Sequence, residues 1–145
     1  MKPFSVMHID HVVMRVSDLE RSIHFYSEVL GCALVKRRDD LGLVHLRAGT
    51  AMIDLVSLDG KLGAEGGAGP GKEGRNVDHV CLRIRPFDPD VLLSHLEYHE
   101  VKMLGPITRN FGAEGMGPSI YICDPDGNVI ELKGKSDEES PDRVP

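Results

Sequence analysis

The chain has 145 residues, a net charge of −6 and 41% hydrophobic residues, which is enough for one globular domain with a buried core. Acidic and basic residues are interspersed, which excludes nucleic acid and an anionic membrane surface as the main partner. No apolar run approaches the roughly 20 residues that cross a bilayer, and the N-terminus lacks a signal-peptide pattern. Three cysteines outside any CxxC spacing predict reduced thiols. We therefore expect a cytoplasmic protein.

The first half of the chain predicts a strand, a helix and three more strands. Residues 9–16 (IDHVVMRV) alternate as a strand does. Ser17 followed by Glu20 forms a capping box, and the helix it opens has an apolar stripe that ends at Gly31. The three candidate strands that follow are Ala33–Arg37, Gly42–Ala48 and Ala51–Ser57.

The second half predicts the same succession after a linker. Residues 59–76 contain seven glycines in 18 positions, which predicts a flexible linker. A strand over 77–84 follows, and then a helix that Asp88 caps with Pro89 at its first position. Three strands are expected at Val101–Leu104, Ser119–Cys123 and Val129–Lys133. The segment after Lys133 is charged and predicts a loose tail over 134–145.

The two halves are related as repeats. The segment VDHVCLRI at 77–84 matches IDHVVMRV at 9–16 in its Asp, His, Val and Arg, with apolar residues elsewhere. MIDL at 52–55 likewise matches VIEL at 129–132. Related modules place equivalent side chains around a common axis, so the repeat says more about function than any single motif does.

Each half carries one histidine and one acid on the polar face of its strands. Because side chains alternate along a strand, His11 and His79 lie opposite an apolar face, and so do Asp54 and Glu131. Two imidazoles with one or two carboxylates suit a divalent transition metal with open positions for water or substrate. A metal would also offset the cost of burying a carboxylate among hydrophobic strands.

Other polar side chains are assigned more ordinary or peripheral roles. Arg15 and Arg83 stand four residues after each candidate histidine, on the same face, and predict a rim that receives an anion. Cys81 is expected to line the site as a thiol rather than to act as a nucleophile. The remaining histidines have no acid at an equivalent repeat position and are interpreted as surface or hydrogen-bonded residues: His8, His24, His45, His95 and His99.

At these residues the chain resembles the glyoxalase / bleomycin-resistance / extradiol-dioxygenase superfamily, the vicinal oxygen chelate proteins. The resemblance rests on IDHVVMRVSDLERSIHFYSEVLG, VDHVCLRI and SIYICDPDGNVIEL. It implies an α+β fold in which paired βαβββ modules form a U-shaped mixed sheet around a metal. The chain would be a single glyoxalase-like domain, with modules at 9–58 and 77–133 joined by the linker at 59–76 and followed by the tail.

The resemblance also implies metal ligands at His11, His79 and Glu131 and at the position of Asp54. The resemblance implies that glyoxalase I-like members have Glu at the position of Asp54. The aspartate side chain is shorter, so it needs a strand shift or a bridging water to reach the metal. Their Asn that meets glutathione corresponds to Leu58, which puts glutathione-dependent activity in doubt. The segment at 108–118 (TRNFGAEGMGP) looks like the loop of a glyoxalase-domain subgroup whose substrate the resemblance does not supply.

The function expected is that of a metal-dependent lyase or isomerase acting on a small, anionic, oxygenated metabolite through a metal-stabilised enolate. Glu131 or Asp54 would move the proton, Arg15, Arg83 and Tyr121 would contact the substrate, and the cofactor would be Zn, Ni, Mn, Co or Fe. An Fe(II) extradiol-type dioxygenase, a fosfomycin-type thiol transferase and a bleomycin-type drug-binding protein are the alternatives. Exposed sheet edges and the resemblance predict a homodimer, whose modules form the metal site within one chain or across two.

Overall fold

The structure, a computed structural model, describes residues 1–138 of the chain. It divides the chain into two compact units, Met1–Gly74 and Arg75–Pro145. Each unit contains a strand, a helix and three strands in that order, which confirms the predicted α+β fold of paired βαβββ modules. No helix within residues 1–138 is long and apolar enough to cross a membrane.

The first unit is a four-stranded sheet with one helix. Its sheet has the order β1-β4-β3-β2, with β1 parallel to β4 and the other pairs antiparallel. The apolar face of β1 is buried as predicted, because Met14 and Val16 are 1% and 0% exposed. The elements are β1 (His11–Val16), α1 (Leu19–His24) continued by a π-helical turn (Phe25–Val29), β2 (Ala33–Arg38), β3 (Leu43–Ala48) and β4 (Ala51–Ser57).

The start of α1 differs from the predicted capping box. Asp18, and not Ser17, is the N-cap, and its carboxylate accepts the backbone N–H of Arg21. Both residue types can cap a helix, so the sequence alone did not decide between adjacent candidates. The other end is as predicted, since Gly31 has φ of +75° directly after the π-helical turn, a conformation that glycine adopts without strain.

The second unit repeats this topology. Its sheet has the order β5-β8-β7-β6, again with the first and last strands parallel. Asp88 caps its helix and Pro89 is the first helical residue, as predicted. The elements are β5 (Val80–Arg83), α2 (Pro89–Tyr98), β6 (Thr108–Gly112), β7 (Gly115–Cys123) and β8 (Val129–Lys133).

The strand predicted at Val101–Leu104 is wrong. That segment makes only an isolated bridge, between Met103 and Ile122, and Gly105-Pro106 then interrupts the chain, because proline cannot donate to a ladder. The pairing strand is β6, which forms a two-residue hairpin with β7. The segment 108–118, interpreted as a loop, is therefore mostly sheet. We call this hairpin, residues 108–119, the β6–β7 hairpin.

The linker and the start of the tail are held by specific contacts. Residues 59–76 form turns and one Gly71–Gly74 bridge rather than helices or strands. In the tail, Arg109 makes ion pairs with Asp137 and Glu138, and Asp137 donates its backbone N–H to the carbonyl of Met116. Residues 134–138 of the predicted loose tail are thus attached to the β6–β7 hairpin, and its remainder lies outside the described residues.

Candidate metal half-sites

The histidines and acids occupy equivalent places in the two sheets. Asp54 on β4 pairs with Val13, two residues after His11. Glu131 on β8 pairs with Cys81, two residues after His79. The repeat seen in the sequence therefore holds at the level of strand register. In each unit the histidine lies two residues before the residue that pairs with the acid.

Each of the two histidines is held by the aspartate that precedes it. Nδ1 of His11 lies 2.7 Å from Oδ1 of Asp10, and Nδ1 of His79 lies 2.7 Å from Oδ1 of Asp78. The hydrogen bond that His11 donates to Asp10 raises the pKa of His11 and lowers the pKa of Asp10. A carboxylate on Nδ1 fixes the tautomer in which Nε2 carries a free lone pair, which is how proteins orient metal-binding imidazoles.

Glu131 is a buried acid of the second unit, and it lies beside His79 and Cys81. Its residue is 4% exposed, its Oε1 lies 3.8 Å from Nε2 of His79, and its Oε2 accepts a hydrogen bond of 2.9 Å from Sγ of Cys81. Tyr121, opposite Glu131 on β7, packs edge-on against the His79 ring with centroids 5.5 Å apart. Three side chains thus surround one buried carboxylate.

The neighbours of Glu131 stay protonated and act as donors. Burial, followed by the hydrogen bond to Glu131, raises the pKa of the Cys81 thiol to about 12. The hydrogen bond to Glu131, followed by burial, raises the pKa of Tyr121 to about 12. Near neutral pH the thiol is therefore a poor nucleophile, in line with its predicted role. The contact of Tyr121 with the substrate stays a prediction.

Asp54 is buried with an incompletely satisfied carboxylate. The residue is 5% exposed, and its Oδ1 accepts no hydrogen bond from any of residues 1–138. Nδ1 of His45 lies 2.9 Å from that oxygen, which is ion-pair distance when the imidazole is protonated, but the two atoms form no hydrogen bond. Sequence reasoning gave His45 no role, although β3 places it directly opposite Asp54.

The arginines predicted to receive an anion are already engaged within their own units. Arg15 donates to the carbonyls of Gly63, Gly67 and Ala68 in the glycine-rich segment. Arg83 forms an ion pair with Glu114 at the tip of the β6–β7 hairpin and donates to the carbonyl of Ile84. An incoming anion would have to compete with these partners.

Each unit contains donors of the kind that a divalent metal prefers. Among residues 1–138 no group of three or more His, Cys, Asp or Glu side chains is placed to hold a metal ion. Each unit instead offers an imidazole oriented through Nδ1 and a buried carboxylate, and the orphaned Oδ1 of Asp54 is the kind of atom that a cation satisfies. The chemistry of these donors therefore suits a divalent transition metal.

We expect Asp78→Asn to weaken metal binding without unfolding the chain. A neutral amide accepts the Nδ1 proton of His79 more weakly than a carboxylate does, and loss of such outer partners typically costs about 10- to 100-fold in metal affinity. Competition titration with Zn²⁺ would measure the change. Asp90→Asn on the exposed side of α2 is the control, and equal affinities for both variants would contradict the proposed role of Asp78.

Comparison with known families supports this arrangement of strands. Residues 8–132 match the family model described as Glyoxalase/Bleomycin resistance protein/Dioxygenase superfamily. Virulence protein STM3117 of Salmonella typhimurium is 34% identical over 124 residues, which cover 86% of this chain and 81% of that protein. Its crystal structure superposes with a TM-score of 0.74 over 92% of this chain and 100% of that chain, at 29% identity.

Two further relatives have activities in their names. A lactoylglutathione lyase of Salmonella typhimurium is 31% identical, over 87% of this chain and 91% of its own. The metallothiol transferase FosB of Lysinibacillus sphaericus is 29% identical, over 88% of this chain and 82% of its own. The family model spans most of the chain and the fold agrees with it, so the protein belongs to the glyoxalase / bleomycin resistance protein / dioxygenase superfamily.

Proposed function

We propose that the protein is a metal-dependent lyase or isomerase of the glyoxalase type that acts on a small, anionic, oxygenated metabolite. His11, His79 and Glu131 would hold a divalent ion (Zn, Ni, Mn, Co or Fe), with Asp54 as the fourth ligand. Membership of the superfamily and the similarity to a lactoylglutathione lyase support the class of reaction. The homodimer and the cytoplasmic location remain predictions.

The observation that carries the proposal is the environment of Glu131. A carboxylate that is 4% exposed is costly unless it is paired or coordinated, and here it faces Nε2 of His79 at 3.8 Å. Its other oxygen is held by Cys81. This leaves one oxygen, Oε1, directed toward the imidazole that Asp78 has oriented, as a metal ligand or proton acceptor requires.

The chain's own residues can manage a proton next to a polarised oxygen. A bound divalent ion supplies Lewis acidity toward the substrate's oxygens. Glu131 accepts a proton from the neighbouring carbon and returns it to another position, which is general acid–base catalysis. Cys81 donates a hydrogen bond to Glu131, and Tyr121 lies opposite Glu131 on β7, so both help to hold the orientation of its carboxylate.

Metal-dependent proton exchange tests the proposal. Metal-free protein would be reloaded with each of the five metals and mixed in D₂O with α-keto, hydroxyacyl and thiohemiacetal compounds. We expect deuterium to enter an α-position only with metal present, and to stop entering in His11→Ala. His24→Ala, an exposed histidine on α1, is the control. If no deuterium entered an α-position with any of the metals and compounds, the proposed lyase or isomerase activity would be refuted.

A thiol transferase is the second candidate, because FosB resembles this chain over most of both lengths. The proposed ligand set of two histidines and a glutamate suits either reaction, so the ligands do not separate them. The assay does: a transferase consumes a free thiol and forms a thioether without placing deuterium at an α-carbon. Thiol consumption that depends on metal and on an electrophilic substrate would replace the first proposal.

A further inference from the structure

A cavity of about 200 Å³ opens beside Glu131 within the second unit. His79, Cys81 and Glu131 form one side of it, and Arg83 with Glu114 and the tip of the β6–β7 hairpin form another. Lys133, two residues after Glu131 on the same face of β8, also lines it. Sequence reasoning gave Lys133 no role.

Lys133 is a buried cation, and the carboxylate of Asp137 lies near enough to interact with its charge but forms no ion pair with it. The residue is 5% exposed, and within residues 1–138 its ammonium forms no ion pair or hydrogen bond. Of the other charged groups around the cavity, Arg83 pairs with Glu114, and Glu131 accepts a hydrogen bond from Cys81. A buried ammonium carries a desolvation cost that a bound anion would offset.

The hairpin backbone is shaped to admit this lysine. A Cβ added at Gly112 would lie 2.8 Å from Cε of Lys133, and one at Gly117 would lie 2.9 Å from its Nζ. The aliphatic part of Lys133 therefore passes against Gly112 and its ammonium lies near Gly117, while the residue lines the cavity. This is how a long cationic side chain is fixed in one conformation before a ligand arrives.

We propose that Lys133 is the anion-binding residue of this cavity, and that it receives a carboxylate or phosphate group of the substrate. In the absence of that group Arg83 is paired with Glu114. Arg83 can therefore contact the anion only when this ion pair breaks. The inference names the substrate class of the function proposed above and rests on it for the reaction only. Anion binding itself needs no metal.

The test is titration of metal-free protein with inorganic phosphate and with acetate at constant ionic strength, followed by NMR chemical shifts. We expect saturable binding to wild type, a loss of about 10- to 100-fold in Lys133→Met, and retention in Lys133→Arg. Lys135→Met, an exposed lysine two residues further on, should bind as wild type does. The tighter of the two probes identifies the anionic group.

Glu114→Gln is a second variant for the same titration, and it leaves the buried Lys133 unchanged. Releasing Arg83 from this half-exposed ion pair should strengthen anion binding by about two- to fivefold. Equal binding by Lys133→Met and wild type, or no saturable binding of either probe, would overturn the inference. Phosphate or acetate binding that depends on Lys133, in a protein with no metal-dependent exchange, would refute the proposed reaction and leave the anion site standing.

Discussion

Glu131→Gln is expected to lower metal affinity by more than about 100-fold and the metal-dependent rate by about 10²- to 10⁴-fold. Glutamine keeps the size and burial of the side chain but removes the negative charge that faces Nε2 of His79. It also changes what Cys81 and Tyr121 can donate to. Competition titration with Zn²⁺ and the deuterium-exchange rate are the two measurements.

The matched control is Glu97→Gln, which makes the same chemical change on the exposed surface of α2. It should leave both measurements at their wild-type values. If Glu131→Gln bound metal and exchanged protons as the control does, Glu131 would be neither ligand nor base. If it kept the metal and lost only the rate, its role would be confined to proton transfer.

The sequence predicted the repeat, and with it the faces on which the candidate ligands lie. Alternation along β1 and β5 separated the polar from the apolar face, and two-residue periodicity is set by backbone geometry alone. The hairpin between β3 and β4, with Gly49-Thr50 as its turn, also fixes the register that places His45 opposite Asp54. That neighbour could have been predicted by pairing the strands, rather than by considering each histidine singly.

Other features could not be predicted from patterns within one strand. Glycine and proline in residues 108–118 indicate a loop by their usual preferences, but Gly112 in β6 and Gly117 in β7 lie against Lys133, where a side chain would collide with it. Likewise, the partners of Arg15 are backbone carbonyls about 50 positions away in sequence. Such contacts depend on tertiary packing, which overrides local propensity.

Asp54→Asn is expected to stabilise the metal-free protein by about 1–2 kcal/mol, because an unsatisfied buried charge costs more than an unsatisfied buried neutral group. Oδ1 of Asp54 accepts no hydrogen bond within residues 1–138, and the neighbouring His45 at 2.9 Å lacks hydrogen-bond geometry. Removing the charge relieves that burial. Urea unfolding at about pH 8, above the usual titration range of imidazole, would measure the gain, with exposed Asp90→Asn as the control.

With saturating Zn²⁺, wild type should become more stable than Asp54→Asn. An ion that binds only the folded protein stabilises it by about 2.7 kcal/mol at a concentration of 100 times Kd, and a variant that lacks a ligand obtains less of this stabilisation. Wild type should then unfold at the higher urea concentration. A metal-free Asp54→Asn that is less stable than wild type would show that His45 already satisfies the carboxylate. Unchanged metal affinity would remove Asp54 from the ligand set. We expect this reversal of stabilities if Asp54 is a metal ligand, because its buried carboxylate lowers the stability of the protein until the ion is bound.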